Sequence, residues 1–201
     1  GASSANYSVP QPTLSAADIG KAALGLTIVG TYSGSTTITP TAFTTNGLVN
    51  SETITGISSA TVNNANVAGN GSNYVTGITI SGGTASMSNY VITTAYNATA
   101  GTTQNTATIN AKALTVTGSS VANKNYDGTA TATVTGGTLV GVISGDTVTL
   151  TQAGNFSQAG AATGLTVTAV DTIGGASSGN YSLTQPTLSA ADIGKAALGL
   201  T

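Results

Sequence analysis

Apolar residues in this chain recur at every second position over short runs, and each run is closed by Gly, Asn or Asp. A period of two is that of a pleated strand with one face inward, whereas a helix repeats its apolar face every three to four residues. The pattern predicts seven strands in the first part of the chain, near 24–29, 36–43, 52–57, 60–67, 75–80, 89–95 and 105–110. Seven more are predicted near 113–118, 129–135, 139–143, 146–151, 164–170, 180–184 and 187–193. Thr, Val and Ile are frequent in these runs, and β-branched side chains pack well on a pleated surface. LSAADIGKAALGL at 14–26 is instead rich in helix formers, but its counterpart TATINAKALTV at 106–116 alternates cleanly as strand, turn and strand, so both are read as β.

The strands belong to a repeat. Residues 1–27 return almost letter for letter at 175–201, an offset of 174, with changes only at Ala5/Gly179, Val9/Leu183 and Pro10/Thr184. A fixed long period of this kind marks a tandem array. Inside it lies a second, diverged repeat: TYSGSTTIT at 31–39 answers NYDGTATAT at 125–133, GLVNSETIT at 47–55 answers GVISGDTVT at 141–149, and SNYVI at 88–92 answers GNYSL at 179–183. Tyr32 thereby matches Tyr126, Gly34 matches Gly128, Glu52 matches Asp146 and Tyr90 matches Tyr181.

Lys21, Lys112 and Lys195 recur in similar strings at the borders and place one module at 21–111 and a second at 112–195. Residues 1–20 then read as the C-terminal strands of a preceding repeat, and 196–201 as the start of the next. No Gly/Ser- or Pro-rich linker separates the modules, which are expected to be semi-rigid relative to each other. Seven short strands per module with turn signals between them is the spacing of an immunoglobulin-like sandwich. The expected fold class is therefore all-β, two tandem immunoglobulin-like β-sandwich modules in an elongated array. A β-solenoid is the alternative, although its short coil period of about 20 to 30 residues does not occur here.

Charge is scarce and changes the functional picture. The chain has 4 Lys, 6 acidic residues, no His and no Cys, for a net charge of −2. Most side chains that carry acid/base, nucleophilic or metal chemistry are missing, so neither an enzyme nor a cofactor is expected. Nucleic acid needs a basic face to neutralise its phosphates, and none can be built from four lysines. No segment reaches the roughly 18 apolar residues of a membrane-spanning helix, so membrane insertion is not expected. A chain without Cys holds its fold without disulfides and can pass a secretion pore unfolded. The missing signal peptide is expected of a segment from the middle of a larger protein.

NYDGT at 125–129, followed by TATATVTGGTL at 129–139 and by GNYSLTQPTLSAADI at 179–193, resembles the YDG/MBG repeat modules. These are β-domains found in tandem in very large secreted Gram-negative adhesins, including filamentous-haemagglutinin-like exoproteins of two-partner secretion systems. The second module resembles the YDG type from 112 to 195. The first, with Tyr32, Ser33 and Gly34 in place of Tyr, Asp and Gly, is similar to the MBG sister type. The resemblance implies a stalk or repeat region of an adhesin, exported unfolded and located outside the cell or on its surface.

The candidate residues each carry a competing structural reading. Asp127 and Gly128 could open a metal site, but an Asp-Gly pair is commonly a tight turn with Gly at positive φ. Calcium needs several oxygen ligands close together, and the acidic residues here are scattered singly, so no metal is expected. Tyr32, Tyr90, Tyr126 and Tyr181 could stack sugars. Buried rings with bonded hydroxyls are the expected alternative, which leaves no exposed aromatic platform. Lys21, Lys112 and Lys195 could form isopeptide crosslinks, but their border positions favour capping or hydrogen bonds between modules. Thr-rich runs such as TATATVT at 129–135 lack the regular spacing of an ice-binding face. The expected function is a structural stalk or spacer that extends an adhesive domain or builds a biofilm-matrix fibre. A multivalent, weak polysaccharide-binding module is the alternative. The expected partners are neighbouring repeats of the same chain, with extracellular polysaccharide or further copies of the adhesin outside it.

Overall fold

The computed structural model describes residues 6–8, 10, 12–99 and 103–199. The outermost parts of the expected flanking repeats, residues 1–5 and 200–201, lie outside the described residues. The described chain is all-β, with short 3-10 turns that include Val67–Gly69, Met87–Asn89 and Ser178–Asn180. The N-terminal half holds seven strands: β1 (Ala22–Thr31), β2 (Thr37–Ile38), β3 (Pro40–Asn46), β4 (Ile54–Val62), β5 (Val75–Gly83), β6 (Tyr90–Ile92) and β7 (Asn105–Asn110). The C-terminal half is cut into shorter pieces: β8 (Lys112–Thr117), β9 (Ser120–Val121), β10 (Lys124–Asn125), β11 (Thr131–Ala132), β12 (Val134–Thr135), β13 (Thr138–Val140), β14 (Thr149–Thr151), β15 (Gly154–Phe156), β16 (Ala162–Leu165), β17 (Val167–Ala169), β18 (Thr172–Gly174), β19 (Tyr181–Thr184) and β20 (Ala191–Gly194).

The expected strands at 52–57 and 60–67 form the single strand β4. Its pairing with β5 shifts register at several points, which absorbs Gly56 and the two serines without a turn. Residues 14–20 adopt no helix, whereas the identical residues at 188–194 end in strand β20.

Both halves are wired alike. β1 lies between the antiparallel β3, paired from Gly25 to Gly30, and two parallel partners, β6 at Ala22–Leu24 and β7 at Leu26–Thr31. In the C-terminal half β8 pairs antiparallel with β13 and parallel with β19, and after a break β10 pairs parallel with β20. The hairpin β4–β5, with β2 beside β4, forms the other sheet of the N-terminal half. Its counterpart is divided into β11–β15–β17 and β14–β18. Among the described residues no strand pairs with a strand of the other half, and most pairings are antiparallel. A stack of parallel coils would not give this pattern, which removes the solenoid alternative.

The register corrects one sequence equivalence. Ala22 faces Tyr90 and Leu24 faces Ile92, while Lys112 faces Tyr181 and Leu114 faces Leu183. The buried Leu24 and Leu114 are therefore the matched positions, and Lys112 stands where the N-terminal half has Ala22. The inward Leu fixes the register because a slip by one residue would turn the apolar face to water.

Alternation delivers the core. Leu24, Leu26 and Ile28 of β1 and Ile109 of β7 are fully buried, and Ile38, Ile57, Ala60, Val62 and Val75 close over them from the other sheet. Asn105 is a buried staple: its side chain accepts from the Val75 N–H at 2.8 Å and donates to the Val75 carbonyl at 2.9 Å and to the Thr93 carbonyl. The terminal copies of the repeat lack such surroundings. Tyr181 is 6% exposed and its copy Tyr7 is 79% exposed; Ile193 is 2% exposed and its copy Ile19 is 100% exposed. Identical residues thus become core only where the strands they pair with are present.

Candidate functional site

The two halves meet through a cluster built on repeat positions. Tyr32 follows β1, and its N–H donates to the Asn110 carbonyl at 2.9 Å, which fixes the ring at one end of the N-terminal half. That ring is buried and meets Tyr181 edge to face, with centroids 5.4 Å apart and planes at 78°. Its hydroxyl donates to the Asp146 carboxylate at 2.9 and 3.2 Å. Tyr181 donates to the same carboxylate, and its oxygen accepts from the Ile143 N–H at 3.0 Å. One carboxylate therefore gathers a phenol from each half.

Alongside, Asn180 Oδ1 accepts from the Val67 N–H at 3.0 Å and its Nδ2 donates to Asn66 Oδ1 at 2.9 Å. Gly34, at φ 73°, lies so close that a Cβ there would stand 3.0 Å from Ile143 Cγ2. A side chain here would be strained at that backbone angle and would press on Ile143, which glycine avoids.

The electrostatics follow from the shared carboxylate. Burial pushes the Tyr181 phenol up to about 12, and the adjacent Asp146 acts in the same direction. Tyr32 is raised by burial first and by its bond to Asp146 second. The Tyr181 hydroxyl holds the Asp146 carboxyl below its ordinary value. The edge-to-face pair is worth about 0.5–1.5 kcal/mol beyond area burial.

The same acceptor arrangement stands at the far end of the N-terminal half. Tyr90 donates to Glu52 and accepts from the Val49 N–H at 3.1 Å, as Tyr181 does with Asp146 and Ile143. The Glu52 N–H donates to the Val49 carbonyl at 2.9 Å and the Asp146 N–H to the Ile143 carbonyl at 3.0 Å. The bond to Glu52 raises the Tyr90 phenol. Residues 110–188 match the YDG domain family. The C-terminal half is a YDG-type module. No curated protein and no solved structure matches the chain.

In the YDG-type module, Gly128 at φ 79° makes the expected turn. Asp127 Oδ1 accepts from the Thr129 N–H and hydroxyl, both at 2.9 Å, and from Lys124 Nζ at 2.8 Å. Lys124 also donates to the Thr129 carbonyl at 2.8 Å and lies 5.8 Å from the centre of the Phe156 ring. The Lys124 contact, with the Thr129 bonds, lowers the Asp127 carboxyl to about 2. Among the described residues no group of acidic side chains could hold a metal ion.

The remaining sequence candidates divide. Tyr32, Tyr90 and Tyr181 are buried with bonded hydroxyls, but Tyr126 is 48% exposed, so the expectation of no exposed aromatic surface is corrected. Tyr126 lies beside Ala161, Lys195 and Leu198, whereas its counterpart Tyr32 is covered by the YDG-type module. Lys21, Lys112 and Lys195 make no ion pair or side-chain hydrogen bond with described residues, so the expected interdomain bonds are absent there. Sequence reasoning passed over Lys124, Asn66 and Asn180. The i, i+3 spacing of Lys124 and Asp127 around a turn was the available signal for the first; the Asn pair had none.

Proposed function

We propose that the chain is a structural stalk or spacer repeat of a secreted bacterial adhesin, with sandwich-like modules at 21–111 and 112–195 set in series to extend an adhesive domain or build a matrix fibre. The observation that carries this reading is the joint: Tyr32, Asp146 and Tyr181, with Asn66 and Asn180 alongside, give consecutive modules a buried contact where a flexible linker would leave none. A spacer works only if each added unit adds length, and that requires bonded joints rather than hinges. The near-uncharged surface, rich in Thr and Asn, hydrates without attracting polyanions. Two layers of strands with inward alternation support the sandwich reading, although β1 lies inside a sheet between an antiparallel and a parallel neighbour, unlike the first strand of an immunoglobulin domain.

The test is small-angle scattering together with glycan binding on chains of one, two and four 174-residue periods. Maximum dimension should rise linearly, by about 35 to 45 Å per module from strand rise and end loops. Glycan affinity should stay independent of copy number. A dimension that fails to scale would overturn the spacer reading, and affinity that tightens by orders of magnitude with copy number would establish a multivalent binder instead.

A further inference from the structure

Each half carries both sides of the joint, but the chain makes the contact only once. The donor side in use is Tyr32 with Gly34, and the acceptor side in use is Asp146, Tyr181, Ile143 and Asn180. The second donor side is Tyr126 with Gly128. Its backbone is held as in the first copy, because the Tyr126 N–H donates to the Gly194 carbonyl at 2.8 Å just as Tyr32 donates to Asn110 at 2.9 Å. Yet Tyr126 is 48% exposed where Tyr32 is 6% exposed, and nothing lies within 4 Å of a Cβ built on Gly128.

The second acceptor side is Glu52, Tyr90, Val49 and Asn89, at the opposite end of the molecule. Its hydrogen bonds reproduce those of Asp146, Tyr181 and Ile143, so it is already set to receive a phenol. Val49, the counterpart of Ile143, is 45% exposed, and Asn89, the counterpart of Asn180, is exposed. A cleft of about 340 Å³ opens there between Lys21, Val49, Glu52 and Asn89. In the YDG-type module the corresponding place is filled by Tyr32.

We infer that Tyr126 docks on the Glu52–Tyr90 acceptor of a second copy of this chain, forming a head-to-tail joint that repeats the Tyr32–Asp146–Tyr181 contact. The inference rests on the spacer reading and adds the chemistry of its second kind of joint. A contact between unlike ends leaves a free donor side and a free acceptor side on each dimer, so it adds further copies head to tail, as a filament unless its rotation closes a ring. Residues 12–21 and 195–199 belong to no strand, so two copies can meet without displacing a strand. Between separate chains the contact is weak, since it involves few residues. Along one chain the effective concentration is in the millimolar range and the same contact is held.

The experiment is concentration-dependent NMR shift mapping and sedimentation on the 201-residue chain, up to about 2 mM, the range of that effective concentration. Tyr126, Gly128, Val49 and Asn89 signals should move together on one isotherm while average mass rises. Tyr126→Phe should weaken association about tenfold through loss of a bond to a charged acceptor. Tyr126→Ala and Glu52→Ala should each be monomeric alone, and their mixture should form one heterodimer, because each keeps the side the other lacks. Tyr126 is at the surface, so its truncation does not endanger folding; Glu52→Gln is the second acceptor variant, with dispersed NMR spectra as the check on both. Unmoved signals at the highest concentration, single variants that associate like the parent, or a monomeric mixture would each overturn the joint. A monomeric chain whose length still scales with period number would leave the spacer reading standing without this joint.

Discussion

Tyr32 offers the most informative perturbation because its ring and its hydroxyl make separable contributions. The ring is 6% exposed and packs edge to face on Tyr181, so Tyr32→Ala removes a buried aromatic and should cost about 3–5 kcal/mol. Tyr32→Phe keeps the ring and loses only the hydroxyl bonds at 2.9 and 3.2 Å, and should cost about 1 kcal/mol. Urea unfolding followed by far-ultraviolet circular dichroism measures both. If the joint couples the halves, Tyr32→Ala should also lower the urea slope or split the transition, since the cooperative unit then exposes less surface. The Ile143 amide, which donates to Tyr181 Oη, should lose hydrogen-exchange protection in the Ala variant and keep most of it in the Phe variant. A loss below about 1 kcal/mol for Tyr32→Ala, with Ile143 protection unchanged, would refute the reasoning.

Alkaline stability should fall between pH 10 and about 12: Tyr181 has a folded pKa raised to about 12 from 10.0, so its contribution is full below the lower value and lost as pH rises through the upper. Tyrosinate absorbance titrated alongside unfolding checks it, and a transition complete below pH 10 would exclude this origin. The Asp127 carboxyl should titrate near 2 by carbon NMR and move upward in Lys124→Met, whose hydrogen bond is the largest cause of the shift. Asn105→Ala should cost about 1–3 kcal/mol in urea unfolding, because it strands the Val75 backbone groups in the core. Gly175→Ala should destabilise more than Gly128→Ala: both sit at positive φ, but a Cβ on Gly175 would be 2.5 Å from the Thr147 carbonyl oxygen, while Gly128 faces open space.

The strands were legible where alternation ran for five residues or more, as in β1, β5, β7 and β8. The two-residue strands β9 and β10 were not, because so short a segment carries no period, and β10 is held by β20, 69 residues away. The break expected between 57 and 60 does not occur, because β-bulges accommodate Gly56, Ser58 and Ser59 within one strand. At the joint, the repeat identified Tyr32 with Tyr126 and Tyr90 with Tyr181, yet an alignment of equivalent positions cannot say which non-equivalent positions touch. The contact links the donor side of one half to the acceptor side of the other, 114 residues apart in the Tyr32–Asp146 bond. Attention to the border lysines likewise concealed Lys124, whose role depends on turn geometry around Asp127 and Gly128.

The central claim is that the two halves act as one rigid segment because of the tyrosine and carboxylate contact between them. Residual dipolar couplings measured on the amides of both halves test it most directly. The account predicts a single alignment tensor describing 22–99 and 112–194 together, dividing into two in Tyr32→Ala. Two independent tensors in the parent chain would contradict it.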